Sequence, residues 1–220
     1  MSHPRFAAVW FDLDGTLFDS AHDLIPAIIA TVQAAGLPCA DFADIRGSIS
    51  QGSRAMIACA ANLAADDARL DGLVTSFHQH YLQRRLLNRY FDGMETLLAK
   101  IEAAQLPWGI ITNKNTAFAQ AVVSQAQLDR RIAALVCGDT LPHNKPHPAP
   151  LLFACAHINA NPADCLYVGD SESDIQAARA ADMPGVACRY GYLPPDSRID
   201  TWQADYIIEQ ASELADIIGV

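Results

Sequence analysis

Ala7-Ala8-Val9-Trp10-Phe11-Asp12-Leu13-Asp14-Gly15-Thr16-Leu17-Phe18-Asp19-Ser20 is the stretch that decides the reading of this chain. The apolar run over 7–11 has the length of a buried strand and stops at two carboxylates, a glycine and a hydroxyl. Ligands of open α/β sheets lie beyond the carboxyl ends of the strands, so Asp12 and Asp14 are expected at the rim of a sheet. The two carboxylates converge if the strand ends there and the chain bends, and Gly15 permits the bend. Taken alone, the segment also fits an ordinary Asp-Gly turn. The rest of the chain has to separate the two readings.

The 220 residues suit one or two domains. A hydrophobic content of 51% with 18% charged residues describes a folded chain rather than a disordered one. The net charge of −10 argues against nucleic acid or an anionic membrane as partner. An anionic substrate would then need cations concentrated locally. Six widely spaced cysteines without a CxxC pair suggest reduced thiols in a cytoplasmic protein. No signal peptide is expected before the first strand, because Met1-Ser2-His3-Pro4-Arg5-Phe6 leads straight into it. No apolar run is long enough for a membrane span.

From 19 to about 90 the composition turns helical. Asp23 is the expected N-cap of a first helix, with Pro26 in its first turn and Gly36 and Pro38 ending it. Shorter helices are expected near 42–47 and 54–64, and a longer one over 66–88. So much helix exceeds a single crossover and predicts an inserted helical domain over 19–91, hinged near 18–21 and 89–93. Residues 1–18 and 92–220 then form the core. There the spacing predicts strands at 108–111, 134–137, 165–168, 185–187 and 206–208. Helices are expected at 94–104, 118–126, 151–157 and 174–181. Alternating β and α units imply a mostly parallel, Rossmann-like sheet with helices on both faces.

Three of these strands end in polar clusters: Asp12-x-Asp14-Gly15-Thr16, Thr112-Asn113 and Gly169-Asp170-Ser171-Glu172-Ser173-Asp174. A fourth cluster, Lys145-Pro146-His147-Pro148, opens the helix before the last of them. Each has an ordinary structural explanation as a turn, a helix cap or a surface loop. Their joint occurrence in this order resembles the haloacid dehalogenase superfamily of phosphohydrolases over essentially the whole chain. The insertion resembles that family's small helical cap.

The resemblance implies a Mg²⁺-dependent phosphomonoester hydrolase. In it Asp12 is the nucleophile that forms an aspartyl phosphate, and Asp14 serves as general acid and then base. Asp12, the backbone carbonyl of Asp14 and Asp170 are the implied metal ligands, with Asp174 orienting them. Thr112 and Asn113 match the phosphate-binding position, and Lys145 supplies positive charge to the phosphate and to Asp12. Tyr190-Gly191-Tyr192 resembles the phosphoglycolate phosphatase branch. Trp108-Gly109 and Trp202-Gln203-Ala204-Asp205 look closer to the N-acetylmuramic acid 6-phosphate phosphatases of that branch, and the two substrates stay level. Both carry a carboxylate. In the insertion, Ser48-Ile49-Ser50-Gln51-Gly52-Ser53-Arg54 is the break expected to face the site, with Ser50 and Arg54 as substrate contacts and Arg46 as the alternative cation.

Other readings fit less well. A receiver-like signalling domain shares the acids, the Thr and the Lys, but is about half this length and carries its phosphoacceptor on a middle strand. A sugar phosphomutase uses the same aspartates, whereas a dehalogenase does not call for Asp14 or Asp170. His78 and His80 point to opposite sides of their helix, and His143 and His147 lack a third ligand, so neither pair suggests a metal site. Arg84, Arg85 and Arg89 read as a solvated helix face.

Overall fold

The computed structural model describes residues 4–194 and 196–220, so residues 1–3 of the N-terminal stretch lie outside the described residues. The first strand, β1 (Ala8–Phe11), is completely buried. It is followed by four helices: α1 (Ala21–Ala34), α2 (Phe42–Arg46), α3 (Ser53–Ala61) and α4 (Leu70–Leu82). The chain then alternates through α5 (Met94–Ala103), β2 (Trp108–Ile111), α6 (Thr116–Gln125), β3 (Leu135–Val136), α7 (Ala149–His157) and β4 (Cys165–Gly169). It ends with α8 (Glu172–Ala180), β5 (Gly185–Cys188), β6 (Tyr206–Ile208) and α9 (Leu214–Ile218).

The six strands form one parallel sheet in the order β3-β2-β1-β4-β5-β6. After β1 the chain builds outward through β2 and β3, then crosses back to place β4 on the other flank of β1. The order therefore reverses between β1 and β4, which is where such sheets open a crevice for ligands. Asp12 follows β1 directly and Asp170 follows β4 directly. The register pairs Phe11 with Val168, and the Asp12 N–H donates to the Val168 carbonyl at 2.8 Å. Topology and register together thus bring two distant acids side by side.

The helical segment between β1 and α5 packs on itself through apolar faces. Leu24, Ile28 and Val32 of α1 are buried, as are Met56 and Ile57 of α3 and Phe77 and Tyr81 of α4. Its two connections to the sheet run side by side. The Asp19 N–H donates to the Arg89 carbonyl (2.8 Å), the Phe91 N–H donates to the Leu17 carbonyl (3.2 Å), and Phe18 stacks on Tyr90 at 4.5 Å.

Two local expectations are corrected. Asp23 is not an N-cap: α1 begins at Ala21, with Ser20 in the cap position. The helix expected over 66–88 spans only Leu70–Leu82. The two corrections have one cause. Beyond α4 the chain returns toward the sheet without helical hydrogen bonds, so its inward N–H groups need other acceptors. The Asp23 carboxylate provides them, accepting from Leu87 N–H at 2.7 Å and Asn88 N–H at 3.2 Å.

Candidate active site

β1 ends at Phe11, and the following loop folds back on itself. The Leu17 and Phe18 N–H groups donate to the Leu13 carbonyl, and Gly15 N–H donates to the Phe18 carbonyl at 3.0 Å. Gly15 sits at φ +87°, a conformation that favours glycine, and a Cβ there would collide with the Asp170 carboxylate. A Cβ at Gly191 would collide with Asp170 too, and with the Gly15 carbonyl. The glycines make room for an acid rather than merely ending a strand.

Asp12, Asp170 and Asp174 each bring a carboxylate oxygen to one point, all within 4.8 Å of one another. Asp174 is fully engaged there. Its Oδ1 accepts from Lys145 Nζ (2.7 Å) and the Tyr167 hydroxyl (3.1 Å), and its Oδ2 accepts from the Ser171 N–H and hydroxyl at the start of α8. Asp170 is only half engaged. Its Oδ2 accepts from Tyr192 N–H (2.7 Å) and Ser50 Oγ (3.2 Å), whereas Oδ1 is buried without a partner among the described residues.

One buried cation serves this group. Lys145 Nζ lies 3.0 Å from Asp12 Oδ1 and 2.7 Å from Asp174 Oδ1, and also donates to the Ile111 carbonyl and the Tyr167 hydroxyl. Burial disfavours its charge, but Asp12 and Asp174 outweigh burial and hold its pKa above the usual lysine value. Three acids against one ammonium leave a deficit of positive charge. Burial accordingly pushes the Asp12 carboxyl up to about 6, with Lys145 opposing and Asp174 reinforcing. Burial, then Asp12 and Asp174, push Asp170 well above the usual carboxylate range. An unpartnered buried carboxylate oxygen beside a second carboxylate fits a hard, oxygen-seeking cation such as Mg²⁺. Asp12 and Asp170 have oxygens to offer it, while Asp174 is committed to holding Lys145 and the α8 terminus.

Asp14 stands apart from this acid group. Both its oxygens accept from Lys114 Nζ, at 3.0 and 2.8 Å. Thr112 is buried at the end of β2, and its Oγ1 accepts from the Lys114 N–H at 3.2 Å. The Asn113 side chain does not face a ligand. Its Nδ2 donates to the Lys145 carbonyl and its Oδ1 accepts from the Lys145 N–H, so it fixes the Lys145 loop. What Asn113 leaves for an anion is its backbone N–H, which has no partner among the described residues.

Above these groups lies a cavity of about 360 Å³. The core contributes Asp12, Asp14, Thr112, Asn113, Lys114 and Lys145 to its lining, and the insertion contributes Ser50, Phe77, His78 and Tyr81. Ser50 is thus brought to the site, but its hydroxyl is engaged by Asp170. Arg54 is not brought there, which corrects the expectation that it contacts substrate. It is 48% exposed, pairs with Asp71, and donates to the Ala65 carbonyl at 3.2 Å. As the second residue of α3, it projects onto the outer surface of the insertion, where Asp71 of α4 offers a nearer charge. Arg46 lies instead 4.7 Å from the centre of the Tyr192 ring.

Lys114, Tyr167 and Tyr81 are site residues that the sequence reading missed. Lys114 directly follows Thr112-Asn113, so a lysine one step past the cluster was a signal available to it. Tyr167 sits inside an apolar strand and Tyr81 inside an amphipathic helix, where pattern reading assigns both to the core.

The Haloacid dehalogenase-like hydrolase family model matches residues 9–188. A phosphoglycolate phosphatase of Xanthomonas campestris pv. campestris is 46% identical over 97% of this chain and 96% of its own length. An N-acetylmuramic acid 6-phosphate phosphatase of Pseudomonas aeruginosa is 39% identical, over 99% of this chain and 97% of its own. The crystal structure of a predicted phosphoglycolate phosphatase from Haemophilus somnus 129pt superposes with a TM-score of 0.85 at 27% identity, covering 97% of this chain and 98% of that one.

Proposed function

Because the chain belongs to the haloacid dehalogenase-like hydrolases, we propose that it is a Mg²⁺-dependent phosphatase acting on a small phosphate ester that also carries a carboxylate. The observation that carries this reading is the position of Asp12. It lines the cavity with Asp14 and Lys145, pairs with Lys145, and shares a point with Asp170, whose Oδ1 is unpartnered among the described residues.

Asp12 attacks the phosphorus as the ester P–O bond breaks, giving an aspartyl phosphate and the free alcohol. Asp14 gives a proton to the departing oxygen. It then takes a proton from the water that attacks the aspartyl phosphate, so that inorganic phosphate leaves and Asp12 is restored. Thr112 and the Asn113 N–H hold the equatorial phosphate oxygens, and Lys145 offsets charge at Asp12. Asp12, the Asp14 carbonyl and Asp170 would hold Mg²⁺, which supplies positive charge to the phosphate when bound. Residues 19–91 act as the cap that closes over the cavity, and 1–18 with 92–220 form the core. Six free thiols and the net acidity support a cytoplasmic enzyme. Among the described residues, no helix is long and apolar enough to cross a membrane.

The cavity wall favours one substrate over the other. Leu24, Ile49, Met56, Phe77 and Phe118 present apolar surface to the site. A two-carbon acid phosphate has nothing to lay against that wall, whereas an amino-sugar acid phosphate has its acetyl and lactyl groups. Phosphate release from 2-phosphoglycolate and from N-acetylmuramic acid 6-phosphate, with and without Mg²⁺, tests both parts. Turnover of neither ester would remove the phosphatase reading, and a large preference for phosphoglycolate would remove the argument from the wall.

A further inference from the structure

A carboxylate beside the transferred phosphate needs a cation, and the expected arginines are elsewhere. Arg54 is spent on Asp71 and Arg46 lies over Tyr192. Among the described residues, two lysines line the cavity. Lys145 has four acceptors within 3.1 Å, more than its three N–H groups can serve, and no donor remains for a ligand.

Lys114 differs. Its close hydrogen bonds go to the two oxygens of a single carboxylate, Asp14, and its third N–H has the Tyr81 hydroxyl for a neighbour. The side chain is only 9% exposed, and Nζ sits 5.1 Å from the centre of the Tyr81 ring, across the junction between core and insertion. The nearby His78 is pushed down by burial and by Lys114, which leaves it neutral and no competitor for an anion.

The second observation is Tyr81 itself. Its side chain is almost wholly buried and lines the cavity, yet its hydroxyl makes no hydrogen bond among the described residues. Buried tyrosine hydroxyls ordinarily find a partner. The Lys114 ammonium and the Tyr81 hydroxyl stand beside each other without closing a short hydrogen bond, so both can turn a proton to one shared acceptor.

Resting on the phosphatase reading above, we infer that Lys114 Nζ and the Tyr81 hydroxyl bind the carboxylate of the substrate and thereby select phosphate esters that carry a carboxylate from those that do not. Asp14 holds the ammonium in place, and Tyr81 brings the insertion into the selection. Lys114 is a specificity residue here: it touches the substrate away from the phosphorus.

Calorimetric binding to the Asp12→Asn chain in Mg²⁺ buffer tests this without turnover. Two matched pairs of ligands differ in the carboxylate-bearing group: 2-phosphoglycolate against ethyl phosphate, and N-acetylmuramic acid 6-phosphate against N-acetylglucosamine 6-phosphate. The carboxylate-bearing ester of at least one pair should bind about 10-fold or more tighter than its carboxylate-free partner, as a charge-assisted contact implies. Adding Lys114→Met should bring that ratio to within about 2-fold, and Lys114→Arg should keep part of it. Tyr81→Phe, which removes one hydroxyl and keeps the ring, should narrow the ratio about 3-fold or more. A ratio that survives Lys114→Met overturns the inference, as does one that survives Tyr81→Phe should Lys114→Met not fold. So does an Asp12→Asn chain that prefers neither carboxylate-bearing ester. Phosphate release by the native chain is measured alongside. Its absence would count against the phosphatase reading, while the binding ratios would still judge Lys114.

Discussion

Ser50 Oγ donates to Asp170 Oδ2 across 3.2 Å, joining the insertion to an acid of the proposed metal site. Tyr192 N–H donates to the same oxygen, and Oδ1 is left buried without a partner among the described residues. Groups that orient metal ligands typically contribute 10–100-fold to affinity. Ser50→Ala should therefore raise the Mg²⁺ concentration for half-maximal activity by about 10-fold. The check is a Mg²⁺ titration of phosphate release at saturating ester. An unchanged midpoint would reduce this contact to packing.

Stability should depend on pH through Asp12. Its carboxyl titrates near 3.8 in an unfolded chain and near 6 in the folded, metal-free one. A raised acid binds its proton more tightly when folded, so its contribution is complete below about pH 4 and is lost as pH rises through about 6. A cation on the ionised carboxylates replaces what the proton supplied. Mg²⁺ at about 100 times its Kd should raise Tm by roughly 5–10 °C at pH 7.5 and by less than half of that at pH 5. Thermal melts at both pH values decide it, and an equal gain at each would contradict the burial argument for Asp12.

Asp12→Asn and Asp14→Asn should fail at different stages. The first removes the nucleophile and should abolish both turnover and the covalent phosphate. The second keeps the nucleophile and should lose roughly 10²–10⁴-fold in rate. Rapid quench with ³²P-labelled ester should trap label on Asp14→Asn chains alone. Near-native turnover by Asp12→Asn would refute the assignment.

Arg54→Ala should do little. The Arg54–Asp71 pair is solvent-exposed on both sides, and such pairs contribute about 0–1 kcal/mol. The variant should keep kcat/KM within about 2-fold on either carboxylate-bearing ester and unfold within about 1 kcal/mol of the native chain. A loss of 10-fold or more confined to the carboxylate-bearing esters would return Arg54 to the site, by a rearrangement of the insertion.

Local chemistry by itself determined much of this protein. The sheet strand at 108–111 stands where its hydrophobic run puts it, because burial on both faces imposes such runs, and the edge strand at 206–208 stands at its expected place although Tyr206 is exposed. That Asp12, Lys145 and Asp170 meet was legible because polar clusters at the ends of neighbouring parallel strands share one rim of the sheet. Only the tertiary structure decided which partner each polar group takes. Asp23 serves the returning chain at 87–88 rather than its own helix, and the Asn113 side chain grips the Lys145 backbone. Arg54 goes to Asp71 and Lys114 to Asp14 for the same reason. A charged side chain goes to the nearest acid that packing brings within reach, and that distance is fixed by how helices cross, which no spacing along the chain records.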